Sequence, residues 1–371
     1  MSRAPRVLVS GIVLGQPMGG VRRHNAELLP RLARLLDESG GSLAILEGRT
    51  PIDFELPPTV VRIASNVPAR PPILRSLPES RELRRVLDGA RERGTPYDIV
   101  HTAHFPAPHG LKTPLTVTVH DLRHLDSTHA SMPRRIVANP LIAAALKGAA
   151  RIFTVSATVA SEIQERFAIP AERTIVVGNG VDHLAPLTRS VGFDAPLVCV
   201  GHVEPRKNLE LAIRALAADA TLPRLVIHGA AKGGEGERLL ALAKSLGVEA
   251  RVRFAGPFDD VDLPEIYARA ACVVLPSIVE GFGIVALEAQ RARVPVCVAR
   301  AGALLEVAGA DTPSFAPGDA LECARAVHAA LSSSAAVLER AALRADTFTW
   351  DACARRWFDG LGTFESWRTS S

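Results

Sequence analysis

Aromatic side chains are scarce in this 371-residue chain, at 5% (12 Phe, 3 Trp and 2 Tyr). So few rings argue against a protein built mainly on stacking with bases or exposed sugars. Long apolar runs are missing too, and no stretch approaches the roughly 18–20 residues needed to span a bilayer. Residues Arg3–Leu14 place basic side chains before an apolar stretch, as a signal peptide does, but no small-residue cleavage pattern follows. A buried first strand of a parallel sheet accounts for the same residues, so the chain is expected to stay in the cytoplasm. Cysteines are few, odd in number and scattered (Cys199, Cys272, Cys297, Cys323, Cys353), with no metal-ligand spacing. They are expected to be small core residues in a reducing compartment.

Charge is close to balanced at +4 but unevenly spread. Up to Asp182 there are 23 Lys and Arg against 17 Asp and Glu; the remainder has 20 against 22. Much of the excess falls between Arg70 and Arg93. It is either a solvated helix face or a surface for anionic lipid headgroups or a phosphate-bearing acceptor, so peripheral contact with the inner face of a membrane stays open. No nucleic-acid motif accompanies the charge, and no nucleic-acid partner is expected.

What is present is an alternation of apolar strand-like runs with helical patterns. The first series is Val7–Val9, Ser42–Leu46, Val60–Ile63, Ile99–His101, Leu115–Val119, Ile152–Val155 and Ile175–Val177. The second is Leu197–Val200, Leu225–His228, Arg251–Phe254, Cys272–Leu275 and Val294–Ala299. Runs that are apolar throughout, rather than alternating, suit parallel strands covered on both faces. Helical spacing marks Gly20–Leu36, Leu209–Leu216, Gly236–Leu246 and Leu263–Ala270, while the prolines between Ile63 and Leu77 predict a loop. The length exceeds one hydrophobic core. The spacing predicts an α/β protein of two Rossmann-like, doubly wound domains, 1–183 and 184–347. A helical tail, 348–371, carries all three tryptophans. In such a fold ligands lie outside the carboxyl ends of the strands, in the cleft between facing domains.

The segment Pro276-Ser-Ile-Val-Glu-Gly-Phe-Gly-Ile-Val-Ala-Leu-Glu288 follows one of these strands. Gly281 and Gly283 let a ligand approach backbone amides, and a helix start favours anionic oxygens. Glu280 and Glu288 invite comparison with a glycosidase pair, but eight helical residues separate them by about 12 Å, beyond the roughly 5–9.5 Å such pairs need. A carboxylate accepting two hydroxyl hydrogen bonds suits a sugar diol instead. Gly201 and the segment Glu204-Pro-Arg-Lys-Asn208 follow another strand, placing Arg206 and Lys207 for a diphosphate. Gly19 and Gly20 open the first helix without the full dinucleotide fingerprint. His120 and Asp121 end a buried strand toward the cleft, with His101 and His104 in a similar place. Gly229–Gly236 lacks the Walker spacing and is expected to be a mobile loop.

Together these segments resemble glycosyltransferase family 4, the retaining group with the GT-B architecture. The likeness rests on Gly201–Asn208, Arg251–Gly256, Leu263–Tyr267, Pro276–Glu288 and Leu305–Gly309 in the second half. Gly19-Gly-Val, Asp98–His101, Val119–Leu122, Val155-Ser156 and Asn179–Asp182 add to it in the first. The resemblance implies that Glu288 holds the nucleotide ribose. Glu280, with the amides of Gly281, Phe282, Gly283 and Ile284, would hold the transferred sugar and distal phosphate. Arg206 and Lys207, beside Gly201, would neutralise the leaving group, and His120 would meet the donor sugar near the reacting carbon. Gly19 and Gly20 would approach phosphates or acceptor, and the tail would pack back on the first domain. The acceptor hydroxyl attacks from the leaving group's side in this family, with no protein nucleophile, metal or other cofactor. Partners implied are a nucleotide sugar, leaning toward a GDP-sugar with a UDP-sugar beside it, and a saccharide or lipid-linked acceptor. Two departures stand out: Arg293 where the family usually has Gly, and Val285 where it often has Pro. A non-catalytic nucleotide-sugar-binding scaffold and a GT-B epimerase remain alternatives.

Overall fold

The computed structural model describes residues 4–16, 19–122, 132–185 and 187–362. The chain divides into two compact units, one of residues 1–180 with 350–371, the other of residues 181–349. In chain order the first unit contains β1 (Arg6–Ser10), α1 (Gly20–Glu38), β2 (Ser42–Leu46), β3 (Val61–Ile63), α2 (Pro72–Glu92) and β4 (Ile99–Thr102). These are followed by β5 (Leu115–Val119), α3 (Met132–Gly148), β6 (Arg151–Thr154), α4 (Ala157–Phe167) and β7 (Thr174–Val176). The second unit runs β8 (Leu197–Val200), α5 (Leu209–Ala218), β9 (Leu225–His228), α6 (Glu235–Ser245), β10 (Val252–Gly256), α7 (Leu263–Arg269) and β11 (Cys272–Leu275). It closes with α8 (Ile284–Arg291), β12 (Val296–Ala299), α9 (Leu304–Ala308), β13 (Ser314–Phe315), α10 (Ala320–Leu331) and α11 (Ala335–Asp346).

Every strand pair among the described residues is parallel. The orders are β3-β2-β1-β4-β5-β6-β7 and β10-β9-β8-β11-β12-β13. The central strands are buried along their length, as β4 and β11 are at every position, which is why they read as unbroken apolar runs. In each sheet growth reverses once, between β1 and β4 and between β8 and β11. Loops leaving the carboxyl ends of such neighbours diverge to opposite faces and leave a crevice.

The last helix, α12 (Trp350–Gly360), belongs to the first unit and packs on α1 and β7. Trp350 and Trp357 are fully buried there. Trp357 stacks on Phe153, with ring centroids 4.5 Å apart, and Arg31 of α1 pairs with Asp351 at 2.8 Å. The third tryptophan, Trp367, lies outside the described residues.

The loop expected up to Leu77 is shorter than the prolines suggested. Helix α2 starts at Pro72 with Pro71 at its cap. Proline's fixed φ and missing N–H cost nothing in a first helical turn, so these prolines start a helix rather than prevent one. The segment Gly229–Gly236 is tied down: the Gly229 amide donates to the Gly256 carbonyl, the Val203 amide donates to the Ala230 carbonyl, and Lys232 donates back to Val203. From Glu235 it is already helical.

Arg293 has φ 56°, a left-handed conformation that side chains rarely adopt. This is the physical reason for glycine at this place in the family pattern. Its guanidinium is paired with Glu339 at 2.6 Å on the surface. Arg293→Gly is expected to be more stable than Arg293→Ala by about 1 kcal/mol, because both lose the ion pair and only alanine keeps the strain. Equal urea midpoints for the two variants would remove this account. Val285, the other departure, packs against the core of the second unit.

Candidate active site

In the second unit the cationic turn follows β8 and the glycine-rich turn follows β11, and these strands are hydrogen-bonded neighbours. Sheet order therefore sets side by side two segments more than 70 residues apart. Backbone and side chains stitch them together. The Ile278 amide donates to the Arg206 carbonyl at 3.0 Å. The Asn208 side-chain amide donates to the carbonyls of Pro276 (3.1 Å) and Pro317 (2.8 Å).

Lys207 and Arg206 both converge on Glu280. The Lys207 ammonium lies 2.5 Å from Oε1 and an Arg206 nitrogen 3.3 Å from Oε2. The buried Ser277 hydroxyl donates to Oε1 at 3.0 Å. Arg206 is held from behind by Glu204 at 2.7 Å. Burial by itself would push the Glu280 carboxyl up. The charges of Lys207 and Arg206, with the Lys207 and Ser277 hydrogen bonds, outweigh it and hold the group at about 2. Glu280 is thus an anion at any working pH, and a compact triad of two cations and one carboxylate is in place.

Two glycines make this geometry available. Lys207 passes over Gly201, its ammonium 3.5 Å from where a Cβ would stand, and Gly201 has φ +127°. Gly302 (φ +52°) lies so close to the Glu280 backbone that a Cβ would stand 2.3 Å from its carbonyl oxygen. The next residue, Ala303, donates its amide to that same oxygen at 3.0 Å. Gly302 therefore braces the turn that carries the carboxylate.

Beyond Glu280 the chain enters α8, with Gly283 in a left-handed conformation at its N-cap. No side chain caps this end, so the first-turn amides face whatever occupies the turn. The Phe282 ring is buried and packs edge-on to Phe348 at 6.3 Å; what Phe282 offers a ligand is its backbone. Glu288, one turn into α8, is 1% exposed. Its Oε2 accepts the Tyr267 hydroxyl at 2.6 Å and its Oε1 contacts His183 Nε2 at 3.0 Å. Gly201, His202, Lys207, Pro276 and Ser277 border a pocket at these strand ends.

The first unit holds Gly19, Gly20 and His120. Gly19 (φ 56°) occupies the N-cap of α1 without a side-chain cap, and Gly20 is exposed. His120 follows β5, its ring 4.7 Å from that of His24 on α1. His101 and His104 turn inward instead. His101 bonds to Thr116 and Thr118, and His104 bonds to the buried Glu79 at 2.9 Å.

Sequence reasoning placed Arg206, Lys207 and Glu280 but not their supports. Tyr267 and His183 lie in or beside segments that carry the resemblance, yet nothing in a linear pattern tells that they meet Glu288. Asn208 and Ser277 fall inside the cationic and glycine-rich segments without a role of their own, and Gly302 and His24 gave no signal beyond residue type.

Comparison with known proteins agrees with this architecture. Residues 18–183 match the family model described as Glycosyltransferase Family 4, and residues 193–345 match Glycosyl transferases group 1. The chain is 32% identical over 250 residues to the D-inositol 3-phosphate glycosyltransferase of Acidothermus cellulolyticus, covering 58% of this chain and 55% of that protein. It therefore spans only about half the length of that relative. It is 29% identical over 317 residues to the O-antigen chain mannosyltransferase B of Escherichia coli, covering 79% of this chain and 82% of the relative. Among solved structures, sucrose-phosphate synthase from Thermosynechococcus elongatus superposes with a TM-score of 0.77 at 20% identity, each chain covered completely. That likeness extends to the fold: two Rossmann-like sheets and a last helix that returns to the first. With a family match in each half of its sequence and the GT-B fold throughout, the chain belongs to glycosyltransferase family 4.

Proposed function

We infer that this chain is a retaining, metal-independent glycosyltransferase that moves a hexose from a nucleoside diphosphate sugar to a saccharide or lipid-linked acceptor. The observation that carries this reading is the convergence of Lys207 and Arg206 on Glu280 beside the uncapped start of α8. An incoming diphosphate takes over the two cations and releases Glu280 to accept sugar hydroxyls. As the bond between the sugar carbon and the phosphate oxygen breaks, the departing oxygen keeps the electron pair, and the fixed cations stabilise the growing charge. The acceptor oxygen forms the new bond from the same face, and its proton passes to the departing phosphate. Glu288 is assigned to the ribose hydroxyls, with Tyr267 and His183 orienting it. Gly281, Phe282, Gly283 and Ile284 supply amides. Of the first unit's residues, His120 is assigned to the sugar near its reacting carbon, and Gly19 and Gly20 to phosphates or acceptor. A mannose-like donor is favoured by the mannosyltransferase relative.

The test is thermal stability against GDP, UDP, TDP, ADP and CDP, with and without EDTA. A ligand at 100 times its Kd stabilises the fold by about 2.7 kcal/mol, an upshift of several degrees. One responder, indifferent to EDTA, is expected; silence toward all five removes the reading. Release of the nucleoside diphosphate only when an acceptor is present separates transfer from epimerisation and from a non-catalytic scaffold. Glu288→Ala is expected to weaken binding of the responding nucleotide about 10-fold or more, and an unchanged Kd would remove the ribose assignment.

The basic excess of the first half has a definite face on α2. Leu74 and Leu77 are 69% and 46% exposed, and Arg81 and Arg84 continue the same helical stripe. These two arginines have no acidic partner among the described residues. Such a face suits an anionic lipid surface that carries the acceptor. No helix among the described residues is long and apolar enough to cross a membrane. Arg81→Glu with Arg84→Glu is expected to reduce binding to phosphatidylglycerol vesicles about 10-fold; equal sedimentation of wild type and variant would remove the contact.

A further inference from the structure

His24 stands out among the buried groups that the transfer chemistry does not use. It sits in the second turn of α1, 1% exposed. Its Nδ1 lies 2.6 Å from the Asn179 carboxamide oxygen. That oxygen only accepts, so Nδ1 carries the proton and Nε2 presents a lone pair. Nε2 is buried and has no hydrogen-bond partner among the described residues. Burial lowers the His24 pKa to about 4, against the opposing bond to Asn179, so the ring is neutral at physiological pH. The ring of His120 stands edge-on at 4.7 Å, and Trp350 closes the site at 5.8 Å.

The Asn179 turn is itself fixed by α12. Arg356 donates to the Val177 carbonyl at 2.9 Å, and the Cys353 thiol donates to the Gly178 carbonyl. A rigid acceptor therefore sets one nitrogen of His24, and the other is a lone pair in search of a donor. A buried acceptor left unmatched is costly, and His120, whose ring centroid stands 4.7 Å away, carries the imidazole N–H that could match it.

We propose that His24 is a positioning residue for His120: anchored by Asn179, it accepts an N–H of His120 at Nε2 and thereby fixes that ring's tautomer and orientation toward the donor sugar. The proposal rests on the assignment of His120 to the donor sugar. Asn179 to His24 to His120 then forms one oriented relay. A neighbour that fixes one nitrogen of an imidazole determines what the other can do.

The test uses the full chain. Nitrogen-15 NMR of histidine side chains, with the His24 signals assigned by loss in His24→Gln, is expected to show a neutral ring protonated at Nδ1 at pH 7. A proton on Nε2 overturns the proposal. In kinetics, Asn179→Ala is expected to lower kcat about 10-fold, the scale of a small misplacement at a reacting centre, with the donor KM changed less than about twofold. Asn179→Asp, which keeps an acceptor oxygen on Nδ1, is expected to restore most of the turnover. Wild-type kcat in Asn179→Ala, or loss in both variants with a fallen melting temperature, overturns the proposal in favour of a purely structural contact. His120→Ala separates the two readings. Full turnover in that variant removes the assignment of His120 to the sugar, whereas the His24 tautomer is read independently of it.

Discussion

Lys207→Ala is expected to lower turnover by about 10²–10³-fold, the usual loss when one fixed charge is removed from a developing anion. The ammonium is held in place before any ligand arrives: it rests on Glu280 at 2.5 Å and over Gly201. A group already oriented pays no reorganisation cost as charge develops. The substitution also strips the half-buried Glu280 of its nearest cation and leaves it only Arg206, and weakening the pairing of an enclosed charge is destabilising. Activity and stability must therefore be separated. Lys207→Met combined with Glu280→Gln removes both charges, so much of the lost stability is expected to return while turnover stays low. Recovery of turnover in the double variant, or near-wild-type turnover in Lys207→Ala, would sink the assignment.

Acidification from pH 7 to pH 5 is expected to cost the first unit about 4 kcal/mol, a drop in melting temperature on the order of 10 °C for a unit of this size. The cause is a pair of neutral histidines in its interior. Burial lowers His101 to about 3, helped by the neighbouring His24 and His104, and lowers His24 to about 4. In the unfolded chain both titrate near 6.5. The folded state therefore binds fewer protons between these values, so stability is fully present above about 6.5 and is lost as pH falls toward the folded pKa values. Each group contributes about 1.4 kcal/mol per pH unit in that window. His101 sits between two threonine hydroxyls, so His101→Gln is expected to retain a partner and flatten the slope by about half. A melting temperature constant from pH 7 to pH 5 would exclude this origin.

Most of the strands were legible because a parallel sheet leaves a local signature. Leu115–Val119, Leu225–His228 and Cys272–Leu275 were delimited by their apolar runs alone, and the structure has the same bounds. The short edge strand β13, two residues long, carries too little pattern to be read. The start of helix α2 was hidden by prolines, whose fixed φ and missing N–H are tolerated in a first helical turn.

The sequence by itself determined the class of fold, the order of every strand but β13 and of several helices, the family likeness, and the positions of the cationic and glycine-rich turns. All of these follow from residue type and spacing over a few turns of chain. Only the tertiary structure decided that Lys207 meets Glu280, that Tyr267 and His183 meet Glu288, and that His24 stands between Asn179 and His120. It alone showed that Arg293 is left-handed and that His101 is buried between two threonine hydroxyls. The physical reason is the same in each case. Hydrophobic period and turn chemistry act along the chain, whereas ion pairing, desolvation and ring contacts depend on which strands become neighbours. That adjacency joins β8 to β11 across more than 70 residues, and no local pattern records it.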